Sequence, residues 1–89
     1  MEFEWDENKN QRNIRKHGIS FEDAIHVFDD SLRLELYDEE HSIEEERWNV
    51  IGMVRKILFV VCTERGNATR IISAREANRE EEEMYYGNC

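Results

Sequence analysis

The run Ile-Leu-Phe-Val-Val-Cys at positions 57–62 constrains this chain more than any other feature, because it is the longest unbroken apolar stretch the chain has. A membrane span needs roughly 20 such residues, so a run this short suits a strand sheltered on both faces; a half-exposed strand would alternate apolar and polar residues. The rest of the chain is therefore expected to supply other strands beside it and helices over it.

The flanking sequence provides them. Phe3 and Trp5 alternate with Glu2 and Glu4, which predicts a short first strand. Asp6 can cap a helix whose last turn carries Arg15, Lys16 and His17 and which stops at Gly18, with Ile14 its only strongly apolar residue. Ser20 with Asp23 opens a second helix to about Phe28, on the spacing of Phe21, Ala24, Ile25 and Phe28. Leu32, Leu34 and Leu36 then alternate with polar partners; an acidic stretch follows at 38–46 and a further strand begins near Arg47. The turn Glu64-Arg65-Gly66-Asn67 separates the apolar run from a last strand over 70–75. Ser73 with Glu76 is a capping-box candidate for a final helix to about Tyr86, whose few apolar positions, Ala77, Met84 and Tyr85, anchor it poorly. The short links between strands favour an antiparallel meander: an α+β fold with four to five antiparallel strands, two N-terminal helices and one C-terminal helix, in one domain over 1–89.

Charge limits the partners. Twelve basic against 21 acidic side chains give a formal charge of -9, which argues against a simple polyanion binder on bulk charge. All of that excess lies before Asn49, so the second half is balanced and can present a locally positive surface. The N-terminal residues lack the basic start and apolar stretch of a secretory signal, which makes the cytoplasm the expected compartment, with no membrane contact. Cys62 and Cys89 form no disulfide framework and no metal-ligand spacing, and Cys62 reads as a small core residue.

No nucleotide-cradling glycine loop, nucleophile elbow or metal motif is present, which leaves cofactor-free chemistry or none. His26 reads as a solvated helix residue. His17, at a helix C-terminus, is either structural or joins Lys16 in binding phosphate. His41 is the stronger proton-transfer candidate, because it sits in a loop feeding a strand and an imidazole can move a proton near neutral pH. Arg47 starts the strand that follows. Arg70 and Arg75, five positions apart, point to opposite faces by period-two counting, and Arg75 beside a helix N-terminus would make a phosphate seat. Any of these arginines is alternatively an ion-pair partner for the many carboxylates. On these residues alone, a non-catalytic acidic module that only binds other proteins is the competing reading.

Taken in order, Phe3-Glu4-Trp5-Asp6, Lys16-His17-Gly18-Ile19, Phe21-Glu22-Asp23-Ala24, His41-Ser42, Glu46-Arg47-Trp48 and Arg70-Ile71-Ile72-Ser73-Ala74-Arg75-Glu76-Ala77 resemble the BrnT family of bacterial type II toxins over almost the whole chain. The resemblance implies a RelE-like fold and a metal-independent endoribonuclease that inhibits growth. It also implies a BrnA-type antitoxin with a ribbon-helix-helix domain, and contact with operator DNA only through that antitoxin. It assigns His41, Arg47 and Arg75 as the active centre, with Lys16, His17 and Arg79 as accessory RNA-binding positions. The strongly acidic second half of the last helix and the absence of proline depart from the family pattern.

Overall fold

Short hydrogen-bonded connections order the second half of the chain, and capped helices order the first. A computed structural model describes residues 1–88. The elements run β1 (Glu2–Glu4), α1 (Glu7–His17), α2 (Phe21–Ala24) leading into a 3-10 turn (Ile25–Asp29), β2 (Leu34–Tyr37), β3 (Arg47–Val54), β4 (Lys56–Arg65), β5 (Ala68–Glu76) and α3 (Arg79–Gly87). The five strands form one sheet in the order β1-β5-β4-β3-β2, which places the apolar run of β4 in the middle.

Strands β2 to β5 pair antiparallel, as short turns require, but β1 pairs parallel to β5 through Glu2↔Ala68, Phe3↔Thr69 and Glu4↔Arg70. The sheet is thus mixed, where a wholly antiparallel one was expected. The expectation rested on short turns, and β1 reaches the sheet through two helices instead, which leave its direction free.

Each face of β4 is covered, by different means. On one side Val50, Leu58, Val60, Cys62, Ile71 and Ala74 pack against Phe21, Ala24 and Val27. Gly52 is needed here for space: a Cβ at that position would stand 2.9 Å from the Val27 Cβ. Burial pushes the Cys62 thiol up to about 12, as suits a core residue; Cys89 lies outside the described residues. On the other side Ile51 and Ile57 are covered by Ala77 and Tyr85.

Helix α1 has little apolar surface to bury, and two asparagines hold it instead. Asn10, fully buried, accepts from the Phe21 amide (2.8 Å) and donates to Glu22 (2.8 Å). Asn13, 7% exposed, donates to the carbonyls of Ile19 and Ala74 (2.8 Å each) and accepts from the Ala74 amide (3.2 Å). Strand β1 ends opposite Arg70, so the edge of β5 beyond it has no neighbouring strand; the Asn13 carboxamide takes the place of a peptide group there.

The last helix differs from the expectation in two ways. Ser73 does not open it, because β5 continues as a strand in register with β4 (Val61↔Ser73, Leu58↔Glu76). The cap is Asn78, in a reciprocal capping box with Glu81. Nor is the helix poorly anchored: Tyr85 is buried and its hydroxyl donates to Asp30 Oδ2 (2.5 Å), while Arg75 grips Glu81. The second helical segment also narrows to 3-10 geometry from Ile25 rather than staying α-helical to Phe28.

Candidate active site and family

The strand-feeding loop between β2 and β3 is closed at its base, and that closure places His41. Asp38 donates its amide to the Arg47 carbonyl (2.9 Å), and Ser42 Oγ donates to the Asp38 carbonyl while accepting from the Arg47 amide (2.8 Å). Within the loop, Asp38 receives the His41 amide (3.2 Å) and lies 2.9 Å from His41 Nδ1. Burial works against the Asp38 charge. Hydrogen bonds from the His41 ring, the His41 amide and Asn49, with the charge of His41, outweigh it and hold the carboxyl below its ordinary value. An ionised Asp38 orders the ring with Nδ1–H as donor and leaves Nε2 as the nitrogen with an available lone pair. Asp38 is 15% exposed and His41 60%, so the carboxylate is fixed while the imidazole meets solvent.

Arg47 follows from strand geometry. It shares one side of β3 with Asn49, two positions on, and both contribute a buried polar atom, Arg47 Nε and Asn49 Oδ1, that has no hydrogen-bond partner among the described residues. Among the described residues Arg47 forms no salt bridge, in a chain with 21 carboxylates.

Arg75 is brought to the same side by an irregularity. The register jumps between Val61↔Ser73 and Cys62↔Ile71, leaving Ile72 as an extra residue in β5, so Ile71 and Ala74 both enter the core although they are three apart. The bulge restores Arg70 and Arg75 to one side of the sheet, where period-two counting had separated them. Arg70 is nevertheless held at the sheet edge by Glu4 (2.8 Å). Arg75 lies in β5 rather than at the start of a helix, and its guanidinium carbon sits 4.2 Å above the Phe59 ring. Glu81 accepts from its Nη1 (2.7 Å) and Nη2 (2.8 Å). That pair raises the Arg75 pKa further, mainly through the Glu81 hydrogen bonds. Glu81 thus occupies the end-on fork, and the side-on pair, Nε–H with the second Nη2–H, has no partner among the described residues.

His41, Arg47 and Arg75 line one open cavity of about 430 Å³, together with Asp38, Asn49 and Phe59. Lys16 and His17 line a second cavity, about 300 Å³, which shares Ile72 and Ser73 with the first. Arg79 is apart from both: it is 94% exposed and pairs with Glu83 (3.4 Å). The sequence offered no signal for Asn49, Phe59 or Glu81 as companions of the arginines, because cross-strand register and the bulge bring them there. No helix among the described residues is long and apolar enough to cross a membrane.

Comparison with known proteins identifies the family and the fold. Residues 5–81 match the family described as the ribonuclease toxin, BrnT, of type II toxin-antitoxin systems. The fold is similar to the crystal structure of the Brucella abortus ribonuclease toxin BrnT, with a TM-score of 0.71 and 30% sequence identity over 89% of this chain and 99% of that one. No curated protein matches. The α+β sheet, the helix layer and the motif order all lead to one conclusion: the chain belongs to the BrnT family of ribonuclease toxins of type II toxin-antitoxin systems.

Proposed function

We propose that this toxin cuts RNA without a metal ion in the cavity shared by His41, Arg47 and Arg75, and that a BrnA-type antitoxin with a ribbon-helix-helix domain neutralises it. The observation that carries the proposal is that three side chains 6 and 28 positions apart line one groove with a solvent-exposed imidazole, an arginine that forms no salt bridge among the described residues and a side-on guanidinium fork without a partner among them. In the reaction the ribose 2′-oxygen attacks the adjacent phosphorus, its proton leaves to a base, the bond from phosphorus to the 5′-oxygen breaks, and that oxygen takes a proton. Nε2 of His41, oriented through Nδ1 by Asp38, moves one of these protons. Arg47 and the side-on fork of Arg75 hold the phosphate and offset the charge that develops on its oxygens. Glu81 and Phe59 fix the Arg75 plane. Lys16 and His17 bind RNA from the adjoining cavity, whereas Arg79, turned to solvent, has at most a peripheral part.

The test is cleavage of RNA by the purified chain with metals chelated. Replacement of a proton-transfer group typically costs 10²–10⁴-fold, so His41→Ala should fall by at least about a hundredfold while staying folded. Equal cleavage by the folded variant refutes the role of His41. Antitoxin binding without any cleavage by the unmodified chain would support the non-catalytic reading instead.

A further inference from the structure

The basic side chains of this acidic protein are not distributed at random with respect to its carboxylates. Arg33, Lys56, Arg65, Arg70, Arg75 and Arg79 each pair with an acid. Among the described residues Lys9, Arg12 and Lys16 do not, and nor do Arg15, Arg47 and Arg55. The first three are exposed and follow one another at three and four positions along a single side of α1. They line the cavity that also contains Lys16 and His17, and no acidic residue lines it with them. That cavity meets the active groove at Ile72 and Ser73, where the bulge of β5 makes their common wall. Beneath the basic row, Asn13 fixes α1 to β5 at Ala74, one residue from Arg75, so the spacing between the row and the groove is set by hydrogen bonds.

From this continuity we infer that α1 is the track for the single-stranded RNA flanking the cut: Lys9, Arg12 and Lys16 bind successive backbone phosphates, and the strand crosses the Ile72–Ser73 wall into the groove. The inference rests on the ribonuclease reading and adds to it the direction of the polymer and two residues, Lys9 and Arg12. A charge of -9 over the whole molecule and a basic strip on one helix are compatible, because screening limits each charge to about 8–10 Å at physiological salt.

The experiment compares Lys9→Gln/Arg12→Gln/Lys16→Gln with a control of equal net charge, Arg33→Gln/Lys56→Gln/Arg65→Gln. Binding of a 12-nucleotide single-stranded RNA is measured as a function of salt in the His41→Ala background. Cleavage of that RNA and of a dinucleotide is measured with His41 present. Three phosphate contacts to a single strand contribute about 2 to the slope of log affinity against log salt, which is about a 15–20-fold change between 50 and 200 mM. The track variant should lose that slope, and its loss of cleavage should be larger on the 12-nucleotide RNA than on the dinucleotide; the control should keep the slope. Equal slopes in the two triple variants overturn the track, as does failure of the 12-nucleotide RNA to bind the parent chain. Slope loss confined to the track variant, with neither substrate cut by the unmodified chain, supports the track and refutes the nuclease reading.

Discussion

Replacing Asn13 by alanine should cost several times the stability of an ordinary change at an exposed position of α1, although the residue is polar and the helix mostly solvated. Its carboxamide makes three hydrogen bonds, two as donor to Ile19 and Ala74 carbonyls and one as acceptor from the Ala74 amide. Truncation leaves the Ala74 amide and carbonyl without partners on the uncovered edge of β5, in a residue that is fully buried. A net hydrogen bond contributes about 0.5–1.5 kcal/mol and an orphaned buried group costs about 1–3 kcal/mol, so a loss of about 3 kcal/mol is expected after partial hydration. For a domain of this length that corresponds to a fall in Tm of roughly 12–24 °C. Urea unfolding followed by circular dichroism measures it, with Asn8→Ala, an exposed site on the same helix, as the reference expected within about 0.5 kcal/mol. Asn13→Asp should be no better at neutral pH, because it keeps the acceptor but turns a second oxygen on two carbonyls. A loss below about 1 kcal/mol in Asn13→Ala would refute the claim that this side chain closes the sheet edge.

Other changes test other contacts. Gly52→Ala forces a methyl to 2.9 Å from the Val27 Cβ and should cost about 1–3 kcal/mol by urea unfolding, the overpacking outweighing the smaller gain of alanine over glycine in a strand. Tyr85→Phe removes the hydrogen bond to the Asp30 carboxylate and should destabilise by about 1.5–3 kcal/mol in the same assay. Burial opposes the charge of Glu81, but the Arg75 hydrogen bonds, the Asn78 amide and the Arg75 charge prevail and hold its carboxyl below the ordinary value of 4.5. Its contribution is therefore present above that value and disappears as pH falls through the lower folded one, and acid titration of Glu81→Gln should lack this part of the transition. Arg75→Lys keeps the charge and loses both forks, so it should slow RNA cleavage by tenfold or more; equal activity would make Arg75 a structural ion-pair partner only.

Much of the fold was legible in the sequence because local signals carried it. Asp6, Gly18 and Ser20 act as the caps their positions suggest, and the apolar run does occupy the middle strand. Long-range pairing was not legible: nothing near Phe3 tells it to run parallel to a strand more than sixty residues later. The acidic helix looked unanchored because its anchor is a polar pair and a single tyrosine rather than an apolar stripe. In the site, residue types pointed to His41, Arg47 and Arg75, but period-two counting misplaced Arg75 relative to Arg70, since one extra residue at Ile72 reverses the alternation. The basic row of α1 was obscured by the opposite sign of the whole chain.

The central claim is that His41, Arg47 and Arg75 meet one phosphodiester at once, the arginines as its clamp and His41 as its proton carrier, and side-chain nuclear magnetic resonance tests it most directly. A 2′-deoxy dinucleotide, which cannot be cut, is titrated into the protein while the nitrogen signals of His41 Nε2, Arg47 Nε and Arg75 Nε are followed. All three should shift together along a single binding curve, with Arg70 Nε unmoved at the sheet edge. Shifts with separate curves, or none at His41 while the arginines respond, would contradict the account.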